Sequence, residues 1–402
     1  KEYKESIDYI NQSLKIDRNL EGALGDLMLR KNEIFDWQNY YELSEEIAEK
    51  IKNNIKVSQA FACLSFIDDP AILKKAAALE SLQLIQGDVP KKYSNHKKIK
   101  LGFFSSDFKN HPIAQLTSEF FETIDRSQFE IIAFSFSNTS KNDPYKLRLE
   151  KVFDKFFDVN EMNTISVVKL SRDMEIDIAV DLNGLTADCR TDLFAMRVAP
   201  LQIQWLGFLG TMGAPFIDYI FADKILIPEE EREHYSENIV YLSHYQPNDS
   251  KREISNKQFT RSDFNLPNDK FIFCCFNNPY KISPKIFNSW VNILKNTKDS
   301  ILWILAENDI AKENILKEAM KGNINVSRII FANKIPLPEY LARFKLADLF
   351  LDTFPYSAGT VASDALRMGL PLIAIQGKTF SSRMSSSLLH AINMPELVTE
   401  SI

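Results

Sequence analysis

The stretch Leu346 to Ile375, LADLFLDTFPYSAGTVASDALRMGLPLIAI, reads as strand, loop, helix and strand. Its helix opens near Thr360 and ends at Gly369, and only small side chains stand just before it. Small residues let a ligand reach the backbone. The first turn of a helix offers free N–H donors and the positive end of the helix dipole. Such a loop can seat an anion, and in an open α/β sheet it lies at the strand C-termini, where ligands bind. Asp364, one turn into the helix, is placed to reach a sugar hydroxyl beside a bound phosphate. The same pattern also fits an ordinary crossover with a flexible loop.

Other chemistry-bearing residues also follow apolar runs. Lys281, in Asn277-Asn278-Pro279-Tyr280-Lys281 after FIFCCF, puts a compact cation at a strand end, to meet a phosphate or to sit solvated at a helix start. His111, in Asp107-Phe108-Lys109-Asn110-His111-Pro112, can hydrogen-bond a substrate, move a proton, or cap the loop before Pro112. Asp181-Leu182-Asn183-Gly184 offers a donor and an acceptor on Asn183, or a plain Asn-Gly turn. The Gly-bearing loop Phe208 to Pro215 can pack its backbone against a ring, or simply connect.

The elements around these residues follow from periodicity. Residues 1–56 read as helices, with Tyr9, Ile10, Leu14 and Ile16 on one and Leu24, Leu27, Leu29 and Ile34 on the next. Such pairs fit a solenoid repeat of roughly 34 residues or a plain helical cap. Residues 57–98 are expected as a helical linker, closing in the turn-rich stretch Gly87 to Lys98. Within 99–250, strands alternate with helices: Ile99–Phe104, Phe129–Phe136, Phe156–Val159, Ile176–Leu182 and Leu201–Leu206. After a polar stretch, Ser250 to Asp269, the rhythm restarts within 251–402 at Phe271–Phe276, Ser300–Leu305, Arg328–Phe331, Leu349–Leu351 and Leu372–Ile375. This βαβ order predicts two doubly wound α/β domains, with the ligand expected in the cleft between them.

Composition narrows the class. With 45% apolar and 25% charged residues the chain is ordinary globular protein. A net charge of −6 argues against broad nucleic-acid binding, and no apolar run has the length of a bilayer span, so no membrane partner is expected. Cys63, Cys189, Cys274 and Cys275 have no metal or redox spacing and suit a reducing, cytoplasmic compartment. The five histidines show no ligand spacing, so neither a metal nor another cofactor is expected. The chain opens Lys-Glu-Tyr-Lys rather than with Met, and a preceding segment is therefore expected.

SSDFKNHP, VAPLQIQWLGFLGTMGAPFIDY, CCFNNPYKI, LADLFLDT and AGTVASDALRMGLP, in this order, resemble the O-linked N-acetylglucosamine transferase family. The likeness is closer to bacterial members, in which tetratricopeptide repeats precede the catalytic region. It runs from about residue 57 to the end, and weakly includes the helical front as a last repeat. The resemblance implies a GT-B fold of two Rossmann-like lobes, the first on the acceptor and sugar side and the second on the nucleotide side. It also implies inverting, metal-independent transfer from a UDP-sugar to Ser or Thr of a polypeptide, which the helical repeats would hold.

By the same resemblance Lys281 would neutralise the diphosphate of the leaving UDP, and Asn278 matches a glutamine near the diphosphate and ribose. Thr360, Val361 and Ala362 would offer amides to the phosphates, Asp364 would bind the ribose, and Tyr340 and Arg343 would cover and edge the uracil. His111 would sit by the sugar and acceptor, Gly210, Thr211, Met212 and Gly213 would line the sugar pocket, and Asn183 would stand at the same side. His111 and Asp181 are candidates for the base, and deprotonation through the phosphate or solvent is the alternative.

The chain departs from the animal enzymes at Gly359 and Val361, where they carry His and Thr, and at Tyr340, where they carry His. These departures leave UDP-glucose or GDP-fucose open as donors. A nucleotide-sugar epimerase of the same architecture and an inactive repeat scaffold are the rival readings. Relatives continue into closing helices beyond the point where this chain ends.

Overall fold

Apolar residues at helical spacing build the front of the chain as α1 (Glu2–Ile16), α2 (Ala23–Glu33) and α3 (Tyr40–Lys52). In the computed structural model, which describes residues 2–93 and 96–401, the expected α1 stripe is only partly used. Leu14 is buried, whereas Tyr9 is 69% and Ile16 90% exposed. A helix packed mainly along one side, here against α2, buries a narrow line of residues, and these two fall off it.

Two more helices come next, α4 (Ala60–Cys63) and α5 (Pro70–Ser81). The linker expected as helical over 57–98 is helical only as far as Ser81. Gly87 and Pro90 keep the rest of it out of a helix, since glycine and proline are poor in helix interiors. Ser94 and Asn95 of that linker, like Lys1 and Ile402, lie outside the described residues. The chain divides into two compact units, Lys1–Leu73 with Glu253–Ile402, and Lys74–Arg252, so the division falls inside α5.

The 74–252 unit contains β1 (Ile99–Ser105), α6 (Pro112–Thr123), β2 (Phe129–Ser135), α7 (Pro144–Val152), β3 (Lys155–Asp158) and α8 (Thr164–Asp173). It continues with β4 (Ile178–Asp181), α9 (Thr191–Ala195), β5 (Leu201–Gln204), β6 (Tyr219–Ala222) and β7 (Asn238–Tyr241). Among the described residues these strands form one parallel sheet in the order β3-β2-β1-β4-β5-β6-β7. The order turns back between β1 and β4, which are paired from Leu101 with Ile178 to Phe104 with Asp181. Paired phenylalanine rings run through a core otherwise mainly of Ala, Ile, Leu and Val. Phe104 and Phe134 stack at 4.4 Å, and Phe103 meets Phe121 edge-on at 4.9 Å. Each such side chain, once buried, contributes roughly 1.5–3 kcal/mol.

The second sheet lies in the other unit. Its elements are β8 (Phe271–Cys275), α10 (Pro284–Asn296), β9 (Ser300–Leu305), α11 (Asp309–Lys321), β10 (Ile329–Ala332) and α12 (Leu337–Arg343). They are followed by β11 (Leu349–Leu351), α13 (Thr360–Arg367), β12 (Leu372–Ile375), α14 (Met384–Ala391) and β13 (Val398–Thr399). This sheet is also parallel, in the order β10-β9-β8-β11-β12-β13, and turns back between β8 and β11. Trp303, Phe276 and Phe344 knit its core, with centroids 4.9 and 5.1 Å from Phe276. Both halves are thus doubly wound α/β. The short strands β6, β7 and β13 and the helix α6 are elements that the sequence reading leaves unassigned.

Candidate active site

In each sheet the chain reverses winding at one pair of strands, and their C-terminal ends open a crevice. In the sheet of the Lys1–Leu73 and Glu253–Ile402 unit that pair is β8 and β11. Asn277, two residues past β8, is buried, its Nδ2 donating to Thr353 Oγ1 at 2.9 Å and more distantly to Asp352 Oδ1. Asp352 ends β11. Its Oδ1 accepts from the amides of Thr353 at 2.7 Å and Ala358 at 2.9 Å, folding the loop 353–358 over the carboxylate. Burial pushes this carboxyl up to about 6.

Lys281 closes a 3-10 turn, Pro279–Lys281, one step beyond Asn278 and its neighbours. Its Nζ donates to the Ser357 carbonyl at 3.4 Å and lies 3.6 Å from the centroid of the Tyr356 ring. Burial lowers the ammonium to about 8, against the opposing pull of Asp352. It is a cation held ready by a carbonyl and a π face rather than a solvated lysine. Asn278 caps the turn on the exposed side, and its side chain bonds the Tyr280 hydroxyl.

Further along the chain, α13 begins at Thr360. Its intrahelical bonding starts with Ser363 N–H to Gly359 O at 3.0 Å, so the amides of Thr360, Val361 and Ala362 precede it. Ala362 and Asp364 are buried, while Thr360 and Val361 are half-buried. Tyr340, on α12, is half-buried with its ring edge-on to Phe344 at 5.1 Å. Arg343 differs from the residue expected to edge a base. It is 1% exposed, its guanidinium lies 4.0 Å from the Phe276 ring and 4.8 Å from Tyr340, and Nη1 holds the Asn333 carbonyl at 2.7 Å. Burial brings it down to about 10. From there Arg343 supports the Tyr340 ring from behind.

In the 74–252 unit the corresponding strands are β1 and β4. Asn183 does more than make the Asn-Gly turn, although Gly184 does turn there with φ 57°. Its Oδ1 accepts from Ser106 N at 2.8 Å, and its Nδ2 donates to Ser106 Oγ at 2.7 Å and to Asp107 Oδ2 at 3.0 Å. Asp107 Oδ2 lies 3.5 Å from His111 Nδ1, which also receives the Ile113 amide at 3.4 Å as the cap of α6. Burial lowers the His111 imidazole, opposed by Asp107, and its side chain is 40% exposed. Asp181 is 2% exposed, its Oδ1 accepting from the amides of Asn183 and Gly184, and burial pushes it up to about 6.

The loop 210–213 turns the Thr211 and Met212 side chains inward. Thr211 Oγ1 and Met212 N both donate to the Glu237 carboxylate at 2.6 Å. Thr211 and Met212 are buried, and Gly210 packs beside the Phe208 ring. Gly213 comes after them with φ 59°. An internal carboxylate therefore anchors the loop, because two adjacent polar groups buried there need an acceptor. Among the described residues no three His, Cys, Asp or Glu side chains are gathered as a metal site requires.

Comparison with known proteins decides the family. Residues 71–247 and 246–402 match the model of glycosyl transferase family 41. The chain belongs to glycosyl transferase family 41. Its relatives include the probable UDP-N-acetylglucosamine–peptide N-acetylglucosaminyltransferase SEC of Arabidopsis thaliana, 32% identical over 383 residues, 89% of this chain and 39% of that protein. The UDP-N-acetylglucosamine–peptide N-acetylglucosaminyltransferase of Caenorhabditis elegans is 26% identical over 76% of this chain and 36% of its own length. The chain thus spans well under half the length of these relatives. A mutant of the Thermobaculum terrenum O-GlcNAc transferase superposes with a TM-score of 0.82 at 24% identity, covering 99% of this chain and 77% of that one. That likeness gives the fold, α/β of the GT-B type.

Within this family 41 chain, sequence reading overlooked Asn277, Asp352, Tyr356 and Ser357, which build the frame around Lys281, and Glu237, which holds the 210–213 loop. A signal for Asp352 existed: a single carboxylate ends the apolar run LFLD. Glu237 gave none, because its partners lie more than twenty residues back along the chain.

Proposed function

We propose that this chain carries the catalytic lobes of a protein O-glycosyltransferase. It would move a sugar, N-acetylglucosamine in the first place, from a UDP-sugar to Ser or Thr hydroxyls of a polypeptide. The observation that carries this reading is the Lys281 ammonium, fixed by Ser357 and Tyr356 at the β8/β11 reversal. A diphosphate there would take the charge of Lys281 and the first amides of α13, in the place a divalent cation fills elsewhere. The names of the plant and nematode relatives support UDP-N-acetylglucosamine as donor and peptide as acceptor.

In this reading the hydroxyl oxygen bonds to the anomeric carbon as the bond from that carbon to the diphosphate oxygen breaks, with inversion. The electron pair of the broken bond stays on UDP, and Lys281 stabilises it. Asp364 would bind the ribose, Asn278 the diphosphate side, and Tyr340 the base, with Arg343 acting through Tyr340. In the 74–252 unit the proton of the attacking hydroxyl would pass to His111 more readily than to Asp181, whose Oδ1 already accepts two amides. Asn183 and the 210–213 backbone would shape the sugar side, and the helical front would hold the polypeptide. The four cysteines stand as thiols rather than disulfides, which suits a reducing, cytoplasmic setting. No described helix is long and apolar enough to cross a membrane.

The test is calorimetric titration with UDP and GDP, in EDTA and then in Mg²⁺, followed by mass spectrometry of peptides incubated with UDP-N-acetylglucosamine. Metal-independent UDP binding and a sugar on Ser or Thr are expected. Preference for GDP, or a demand for Mg²⁺, would overturn the donor or the metal-free mechanism respectively.

A further inference from the structure

The stretch from α4 to the start of α5 meets the residues around Lys281 at two points. Phe61, on α4, places its ring edge-on to Tyr356 at 6.2 Å and tilted against Tyr280 at 6.3 Å. Tyr356 is the ring that covers the Lys281 ammonium.

The second point is Asp68, whose partners lie more than three hundred residues along the chain. Its Oδ1 accepts from Lys378 N at 3.0 Å, Thr379 N at 3.1 Å, Thr379 Oγ1 at 3.1 Å and Ser382 Oγ at 2.7 Å. Its Oδ2 lies 3.1 Å from Lys378 N. A Cβ at Gly377 would sit 2.7 Å from Oδ2 and 2.3 Å from Ser382 Oγ, so only glycine lets the carboxylate this close. The turn that Asp68 gathers presents the Ser381 carbonyl, which accepts from Ser357 N at 3.1 Å and Ser357 Oγ at 2.7 Å. Ser357 in turn gives its own carbonyl to Lys281. One unbroken chain of contacts thus leads from Asp68 to the ammonium.

We infer that Asp68 is a positioning residue of the anion site, setting through the 377–382 turn and Ser357 where the Lys281 ammonium stands. A carboxylate accepting several hydrogen bonds fixes a turn more firmly than a neutral acceptor does. The helical segment is therefore a working part of the nucleotide half rather than a spacer ahead of it. This inference rests on the reading of Lys281 as the diphosphate cation.

The test uses this chain and the variants Asp68→Asn, Lys281→Ala, both together, and Asp69→Asn. Asp69 is the control, since its Oδ1 caps α5 through the amides of Ala71 and Ile72 and does not touch the turn. UDP affinity is read by calorimetry, and amide hydrogen exchange at 355–359 is read without ligand. Asp68→Asn should weaken UDP about tenfold or more, as sub-ångström misplacement of a binding group does. It should also speed exchange at 355–359, while Asp69→Asn does neither. The double variant should bind UDP no worse than Lys281→Ala alone, because the effect passes through that lysine. Unchanged exchange in Asp68→Asn, or multiplied losses in the double variant, would overturn the inference. If the unaltered chain binds no UDP, the functional reading falls, and the exchange data alone still decide whether Asp68 shapes the loop.

Discussion

Asn183 Nδ2 donates to Asp107 Oδ2 at 3.0 Å, and so ties the loop after β4 to the loop after β1. The contact is held by an amide, and a carboxylate in its place would set two negative groups face to face. One of them would then have to stay protonated. Asn183→Asp should therefore lose stability relative to the unaltered chain as pH rises from 5 to 8, by about 2–3 kcal/mol at the upper end. Urea denaturation at the two pH values checks this, and equal losses at both would refute it.

Lys281→Met removes the charge while keeping the stem. Turnover with a UDP-sugar should fall roughly 10²–10³-fold, the loss typical of a missing charge-stabilising donor. The unfolding midpoint should stay within about 3 °C, because desolvation of the ammonium is relieved. In the unaltered chain UDP affinity should decline as pH rises past about 8, where Lys281 gives up its proton. That decline should vanish in the variant, as titrations from pH 7 to 10 would reveal.

Asp181 has its folded-state pKa raised from 3.8 to about 6 by burial. The folded protein therefore holds this proton across a window where the unfolded chain has lost it. Its contribution to stability is largest at the acid end and falls as pH rises from about 4 to 6. Asp181→Asn keeps an acceptor for the Asn183 and Gly184 amides and cannot ionise. The stability difference between variant and unaltered chain should shift by on the order of 1–3 kcal/mol in favour of the variant across that window. A constant difference from pH 4 to 7 would contradict the account.

Glu237→Ala leaves Thr211 Oγ1 and the Met212 amide buried without their acceptor. A cost of about 2–4 kcal/mol is expected. Proteolytic nicking near 208–215 should appear well below the unfolding midpoint, and an intact loop there would count against the anchoring role.

Arg343→Lys should destabilise the unit that holds the second sheet by about 1–3 kcal/mol, because an ammonium cannot lie flat against Phe276 and Tyr340. Chemical denaturation measures it, and a neutral result would refute the packing role given to the guanidinium.

Much of the architecture was legible along the chain because buried parallel strands are apolar runs. FIFCC and SILWIL announce β8 and β9, and the small residues before Thr360 announce the turn into α13. β6, β7 and β13 were not legible, being four residues or fewer and on the outer side of their sheets. The site divides in the same way. Lys281, His111 and Asn183 stand in the loops that follow strands, and position alone marks them. Asp68, Asn277 and Glu237 act through partners far away in sequence, so no local pattern carries their roles. The inward turn of Arg343 is also nonlocal, since it depends on the room between Phe276 and Tyr340.

The aromatic roof over Lys281 has an electrical consequence. An ammonium lying against a tyrosine face on one side and a carbonyl on another gathers little loose counter-ion atmosphere. Dissolved salt weakens attraction between exposed charges and reaches covered ones far less. On the proposed reading, the hold on an anion there would be a contact force more than a long-range field, and the ionic strength of the surrounding fluid would weaken it little.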